Sequence, residues 1–140
     1  MVRRAEVLAQ ELGTTPAASG PDAVVAMVVA SARRLVAGAV ERPVAAGVAC
    51  AGLVVDGRVL AMSPELLPGW YDYPLVERLE AELGLRVAAL HDAQAAALGE
   101  SRYGAGRGRS SMLFMTVSTG VGGGLVLDGR LWQGSTGLAG

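Results

Sequence analysis

Apolar residues at 24, 25, 28, 32, 35, 36 and 39 recur at helical spacing, and Pro21-Asp22 stands where a helix would open. The pattern predicts a helix over about 22–40 with Arg33 and Arg34 facing outward. Upstream, residues 4–9 read as a strand that Thr14-Thr15-Pro16 ends. Downstream the period shortens. "VAAGVAC" (44–50) and "LRVAAL" (85–90) are brief apolar runs, the pattern of buried parallel strands. Between them, "GLVVDGRVL" (52–60) sets Asp56-Gly57 between two apolar stretches, a hairpin signal because both residues tolerate positive φ. "PLVERLEAELG" (74–84) is a helix with Pro in its first turn and Gly at its end, and "DAQAAALGESRYG" (92–104) is an Ala-rich helix. After a linker, "GAGRGRSS" (104–111), "MLFMTV" (112–117) is a strand and "GLVLDGRLW" (124–132) a second hairpin.

These elements predict an α/β protein with a mostly parallel sheet and a break near 104–110. Residues 1–106 form part of one lobe, and 107–140 hold only strands and turns, the start of a second. A strand set that small is marginal in water and wants further partners, so the chain is expected to stop early in that second lobe. The hairpins at 52–58 and 124–130 align residue for residue apart from one Val/Leu exchange. Duplication would explain this, and so would shared turn chemistry.

Composition narrows the class. At 140 residues, 51% hydrophobic and 18% charged, the chain is globular and long enough for one real core. A net charge of −1 with both signs scattered leaves no basic patch for nucleic acid. Every basic side chain is Arg, and Lys, Asn and Ile are absent, as a G/C-rich genome would produce. The one cysteine, Cys50, sits in an apolar run and reads as a small buried hydrophobe; one Cys permits neither a disulfide framework nor zinc spacing. The apolar runs near 23–30 and 44–55 are shorter than the ~20 residues of a membrane helix, and no signal-peptide core follows Arg3-Arg4. A cytoplasmic protein without membrane partners is expected.

Two stretches carry chemistry. In "TVSTGVGGGLVLDG" (116–129) a glycine run follows an apolar strand. A P-loop is excluded, because it needs a Lys to reach the outer phosphates. A dinucleotide fingerprint needs a helix after the glycines, and the following "LVLDGRLW" is β-type. What remains is a strand–glycine turn–strand loop over 118–124. Its backbone N–H groups, with the Ser118 and Thr119 hydroxyls, could form an anion-binding concavity; alternatively it is a plain tight turn using Gly for positive φ. The second stretch, "RVAALHDAQAAALGE" (86–100), brings Asp92 to the end of a strand and the start of a helix. Ligand sites of open α/β sheets lie there, and the helix dipole favours the carboxylate. Asp92 is a candidate general base, or else an ordinary N-cap. His91, the only His, could meet a substrate hydroxyl or simply face solvent.

"HDAQAAALGE", "TVSTGVGGGLVLDGRL", "GSTGLAG" and "SPELLPGWYDYPL" (63–75) together resemble the ROK family (repressors, open reading frames and sugar kinases) from about residue 20 to the end. The resemblance implies an actin/hexokinase-like (ribonuclease H-like) fold. It also implies phosphorylation of a sugar by ATP with Mg2+. "DAQAAA" followed by "TVSTGVGGG" is most similar to the family's N-acetylmannosamine kinases, which make the 6-phosphate; glucokinase and N-acetylglucosamine kinase are the neighbouring alternatives. By the same resemblance Asp92 is the general base and His91, Gly52 and Gly137 belong to the sugar site. Ser118, Thr119, Gly120, Gly122, Gly123 and Gly124 meet the ATP phosphates. His91 departs from the family, which usually has Asn there, and Ala51-Gly52 stands in place of Pro-Gly. The family's opening Asp-x-Gly-Gly-Thr hairpin, its downstream Glu/His sugar motif and its structural zinc ligands have no counterpart here. The chain is therefore expected to be the middle of a longer protein, which as a whole could form a homodimer. Two rival readings are a sugar-sensing ROK regulator and a degenerate remnant.

Overall fold

The computed structural model describes residues 2, 3, 6–65, 67–118, 120–137 and 139. The chain divides into two compact units that interleave in sequence: residues 1–48 with 56–89, and residues 49–55 with 90–140.

The first unit opens with a short antiparallel pair, β1 (Val2–Arg3) and β2 (Glu6–Val7), where one longer strand was expected. Helix α1 (Pro21–Ala37) starts with Pro in its first turn, where the missing N–H costs nothing, and buries Val25 and Val29 one turn apart. It ends three residues before the expected 40, at Gly38. Helix α2 (Leu75–Leu83) packs on α1 and buries Leu75 and Leu79, again one turn apart. Arg33 and Arg34 do face outward: Arg33 reaches Glu82 at 3.0 Å, and Arg34 pairs with Glu11. Exposed pairs of this kind contribute little. The core is apolar. Its aromatic corner comes from the segment 63–75, where Trp70 is buried, meets Tyr73 at 5.3 Å between ring centroids, and accepts the Ala61 N–H on its carbonyl at 2.7 Å. The Tyr73 hydroxyl donates to Asp22 at 2.7 Å; with Arg78 alongside, it holds that carboxyl below its usual range.

Strands β3 (Ala45–Cys50) and β6 (Arg86–His91) pair as the parallel element of the fold. Neither is buried as expected. In β3, exposed and half-buried residues alternate. The hairpin of β4 (Leu53–Val55) and β5 (Arg58–Leu60) turns at Asp56 and Gly57, with φ of 49° and 77°. The later hairpin repeats this at Asp128 and Gly129, with φ of 50° and 72°. Two successive positive φ values define a type I′ turn, which Asp-Gly adopts at least cost.

In the second unit, helix α3 (Asp92–Tyr103) lies on an antiparallel sheet of β7 (Met112–Val117), β8 (Val121–Leu127) and β9 (Arg130–Trp132), in the order β7-β8-β9. This unit includes residues on both sides of 106. Met112 pairs with Val126 and Val117 with Val121. Val126 is fully buried under α3, whereas Leu113, Met115, Val117, Val121 and Trp132 are exposed.

Candidate functional site

The glycine run is not the long loop its composition predicts. Gly122, Gly123 and Gly124 lie inside β8, paired with Thr116, Met115 and Phe114. Strand β7 ends at Val117 and β8 starts at Val121, and between them the Ser118 N–H donates to the Gly120 carbonyl at 2.8 Å. Thr119 lies outside the described residues. Close packing explains two of the glycines. A Cβ on Gly124 would stand 2.5 Å from the Ala97 Cβ, and one on Gly122 would stand 3.2 Å from the Ala93 Cβ. Ala93 and Ala97 are four apart on a helix, about 6.0 Å. Gly122 and Gly124 are two apart on a strand, about 6.7 Å. The spacings match, so helix and strand stay close over two contacts.

A second feature keeps the run open to a ligand. Strand β9 pairs only with Leu125, Val126 and Leu127, so no described strand borders the edge of β8 over 121–124 on the side away from β7. Successive N–H groups of an antiparallel strand alternate between its two edges. Some backbone donors of 121–124 are therefore not committed to a ladder. Gly120 lies at the exposed tip, and a Cβ there would meet nothing within 4 Å.

Asp92 is the first residue of α3, where the exposed N–H groups and the helix dipole stabilise a negative charge. Its Oδ1 accepts the Ala93 N–H at 2.7 Å and stands 3.2 Å from His91 Nε2. The other oxygen, Oδ2, has no partner among the described residues. The Asp92 side chain is 60% exposed and that of His91 34%. Asp92 thus presents an oriented, accessible carboxylate. The glycine strand passes beside the residues that flank Asp92 in sequence: a Cβ on Gly122 would stand 3.2 Å from the Ala93 Cβ and 3.7 Å from His91 Cε1. Cys50 is near enough that the Asp92 charge acts on it. Burial, and secondarily that charge, push its thiol up to about 11, and its Sγ–H points to the Leu90 carbonyl at 3.9 Å. A protonated thiol is a poor nucleophile, in keeping with a packing role.

Gly52 is buried in the bend before β4, and Gly137, at φ 79°, comes against that strand. A Cβ on Gly137 would stand 3.1 Å from Val55 Cγ2. Gln94 joins Gly137 to α3; it is 3% exposed and its Nε2 donates to the carbonyls of Gly137 at 3.1 Å and Ala139 at 3.2 Å. Sequence reasoning gave Gln94 no part in the site. The signal was present, since Gln94, Ala97 and Ser101 recur at helical spacing and all three are buried. Asp92, His91, Gly122, Gly52 and Gly137 thus all belong to one compact unit, with Ser118 and Gly120 at its exposed turn. Among the described residues, no group of three or more His, Cys, Asp or Glu side chains could hold a metal ion, so the zinc implied by resemblance finds no fit in this segment. No helix among them is long and apolar enough to cross a membrane.

The ROK family model matches residues 2–140. The bifunctional enzyme NanE/NanK of Brucella suis is 44% identical over 141 aligned positions, covering 100% of this chain and 26% of that protein. The N-acetylmannosamine kinase of Salmonella paratyphi A is 45% identical over 126, covering 90% of this chain and 42% of that one. A ROK family glucokinase from Streptomyces griseus, solved with glucose and AMPPNP, superposes with a TM-score of 0.74 at 33% identity, covering 89% of this chain and 38% of its own. The chain thus spans well under half the length of these relatives. With the family model matched from residue 2 to residue 140 and the fold in agreement, the chain belongs to the ROK family.

Proposed function

We propose that the protein carrying this chain is an ATP-dependent sugar kinase whose acceptor is the 6-hydroxyl of N-acetylmannosamine. The observation that carries the reading is the accessible Asp92 carboxylate at the start of α3, with the open-edged glycine strand running past it. In the proposed step Asp92 accepts the hydroxyl proton while the sugar oxygen bonds to the γ-phosphorus and the bond to the ADP oxygen breaks. Such chemistry asks the protein mainly for alignment and charge stabilisation. Residues 118–124 contribute through the Ser118 and Thr119 hydroxyls and the backbone donors of Gly120 and the β8 edge, with Gly122, Gly123 and Gly124 letting the phosphates approach. Mg2+ arrives with the nucleotide. His91, Gly52 and Gly137 contact the sugar. Residues 1–106 belong to the lobe that holds the base, and 107–140 open the lobe that holds the phosphate strand. Cytoplasmic ATP supplies the phosphoryl group.

The relatives named for N-acetylmannosamine phosphorylation support the choice of sugar. An ATP-coupled assay of the full-length protein on N-acetylmannosamine, N-acetylglucosamine and glucose tests it, with the highest kcat/KM expected for the first. Asp92→Asn should lower kcat by at least ~100-fold, the range for loss of a general base. Full activity in that variant would remove Asp92 from the mechanism.

A further inference from the structure

The geometry points to Gln94 as a positioning residue that sets Gly137, a proposed sugar contact, and Ala139 against the helix carrying Asp92. This inference rests on the sugar-kinase reading and adds a part to it. Gln94 is a long polar side chain on a helix whose other buried residues, Ala93, Ala97 and Ser101, are small, and it is 3% exposed. A buried amide is costly unless its donors are used. Here Nε2 donates to two carbonyls of one short segment, Gly137 at 3.1 Å and Ala139 at 3.2 Å. That segment is closed on itself by the Ala139 N–H, which donates to the Gln133 carbonyl at 3.2 Å. It is also pressed on β4, where a Cβ at Gly137 would meet Val55 Cγ2 at 3.1 Å and the Val54 carbonyl at 3.6 Å.

The consequence is a fixed distance. Asp92 and Gln94 share the first turn of α3, so their separation is set by helix geometry. The two hydrogen bonds carry that setting across to Gly137. A single amide thereby ties the helix of the proposed base to a proposed sugar contact. An apolar side chain of equal length would fill the same space without holding the two carbonyls. The role is therefore one of alignment for the sugar, with no contact to the nucleotide strand required.

Gln94→Met in the full-length protein keeps the volume and removes the donors. The expected result is a rise of about tenfold or more in the KM for the sugar, with kcat and the KM for ATP within about threefold of the parent. In the ligand-free variant the Ala139 amide should exchange with solvent about tenfold faster. Faster exchange with an unchanged sugar KM would make Gln94 a purely structural residue and overturn the proposal, as would no change in either. If the parent protein itself phosphorylates none of the three sugars, the kinase reading fails, which is a different result from an active parent with an indifferent variant. Should Gln94→Met not fold, the parent still decides: saturating sugar should shift the side-chain amide resonances of Gln94, and unmoved resonances would refute the role.

Discussion

Asp92 and Cys50 make a pair in which one residue reports on the other. The thiol is raised to about 11 by burial first and by the Asp92 carboxylate second. A negative neighbour opposes formation of the thiolate, so removing it must lower the value. Asp92→Asn should therefore move the alkylation profile of Cys50 to lower pH, while the parent thiol stays unreactive until the pH nears 11. An unmoved profile would mean that the carboxylate does not sense this part of β3. The measurement needs no substrate, which separates the placement of Asp92 from its chemistry. Sequence alone brought Asp92 and His91 forward through their place at a strand end. It left Gln94 without a role, because the value of a buried amide depends on where residues 137–139 return.

At the scale of elements, turns and helices were legible and the glycine strand was not. Asp56-Gly57 and Asp128-Gly129 declare their turns locally, since two adjacent residues suited to positive φ leave few alternatives. Helices α1, α2 and α3 follow from apolar spacing and from Pro and Gly at their ends. Strands are recognised by side chains that alternate between two faces, and Gly122–Gly124 have none to alternate. Their run therefore reads as a loop until the pairing with Thr116, Met115 and Phe114 is seen. The distinction has a direct test. Gly124→Val must push α3 away from β8 and should lower stability by about 1–3 kcal/mol, as overpacked cores do. Gly120→Val meets open space, so melting should change little while the KM for ATP rises. Equal losses of stability in both variants would contradict the division of roles along the run. The expected burial of β3 and β6 failed for a related reason: apolar composition identifies a strand, but not how many layers cover it.

At the scale of the whole molecule, the sheet of the second unit has one face under α3 and another that presents Leu113, Met115, Val117, Val121 and Trp132 to solvent. Contiguous apolar surface of this kind marks a contact face or an aggregation liability. Purified residues 1–140 should bind an environment-sensitive hydrophobic dye, and Leu113→Thr with Met115→Thr should reduce that binding without lowering the melting temperature. The same polypeptide should give no ATP-dependent sugar phosphorylation above a no-enzyme blank, because transfer requires the nucleotide to be gripped on both sides. Turnover by residues 1–140 alone would place the active site wholly within them. The interleaving of the two compact units carries a consequence for inheritance and for engineering alike. Residues 49–55 belong with 90–140, yet they are encoded in the midst of the other unit, so no single cut yields either unit whole. A recombination joint at 89/90 would hand on α3 and the glycine strand while leaving behind β4, the strand on which Gly137 rests. Shuffling that preserves the site has to move the stretch from 49 onward as one block.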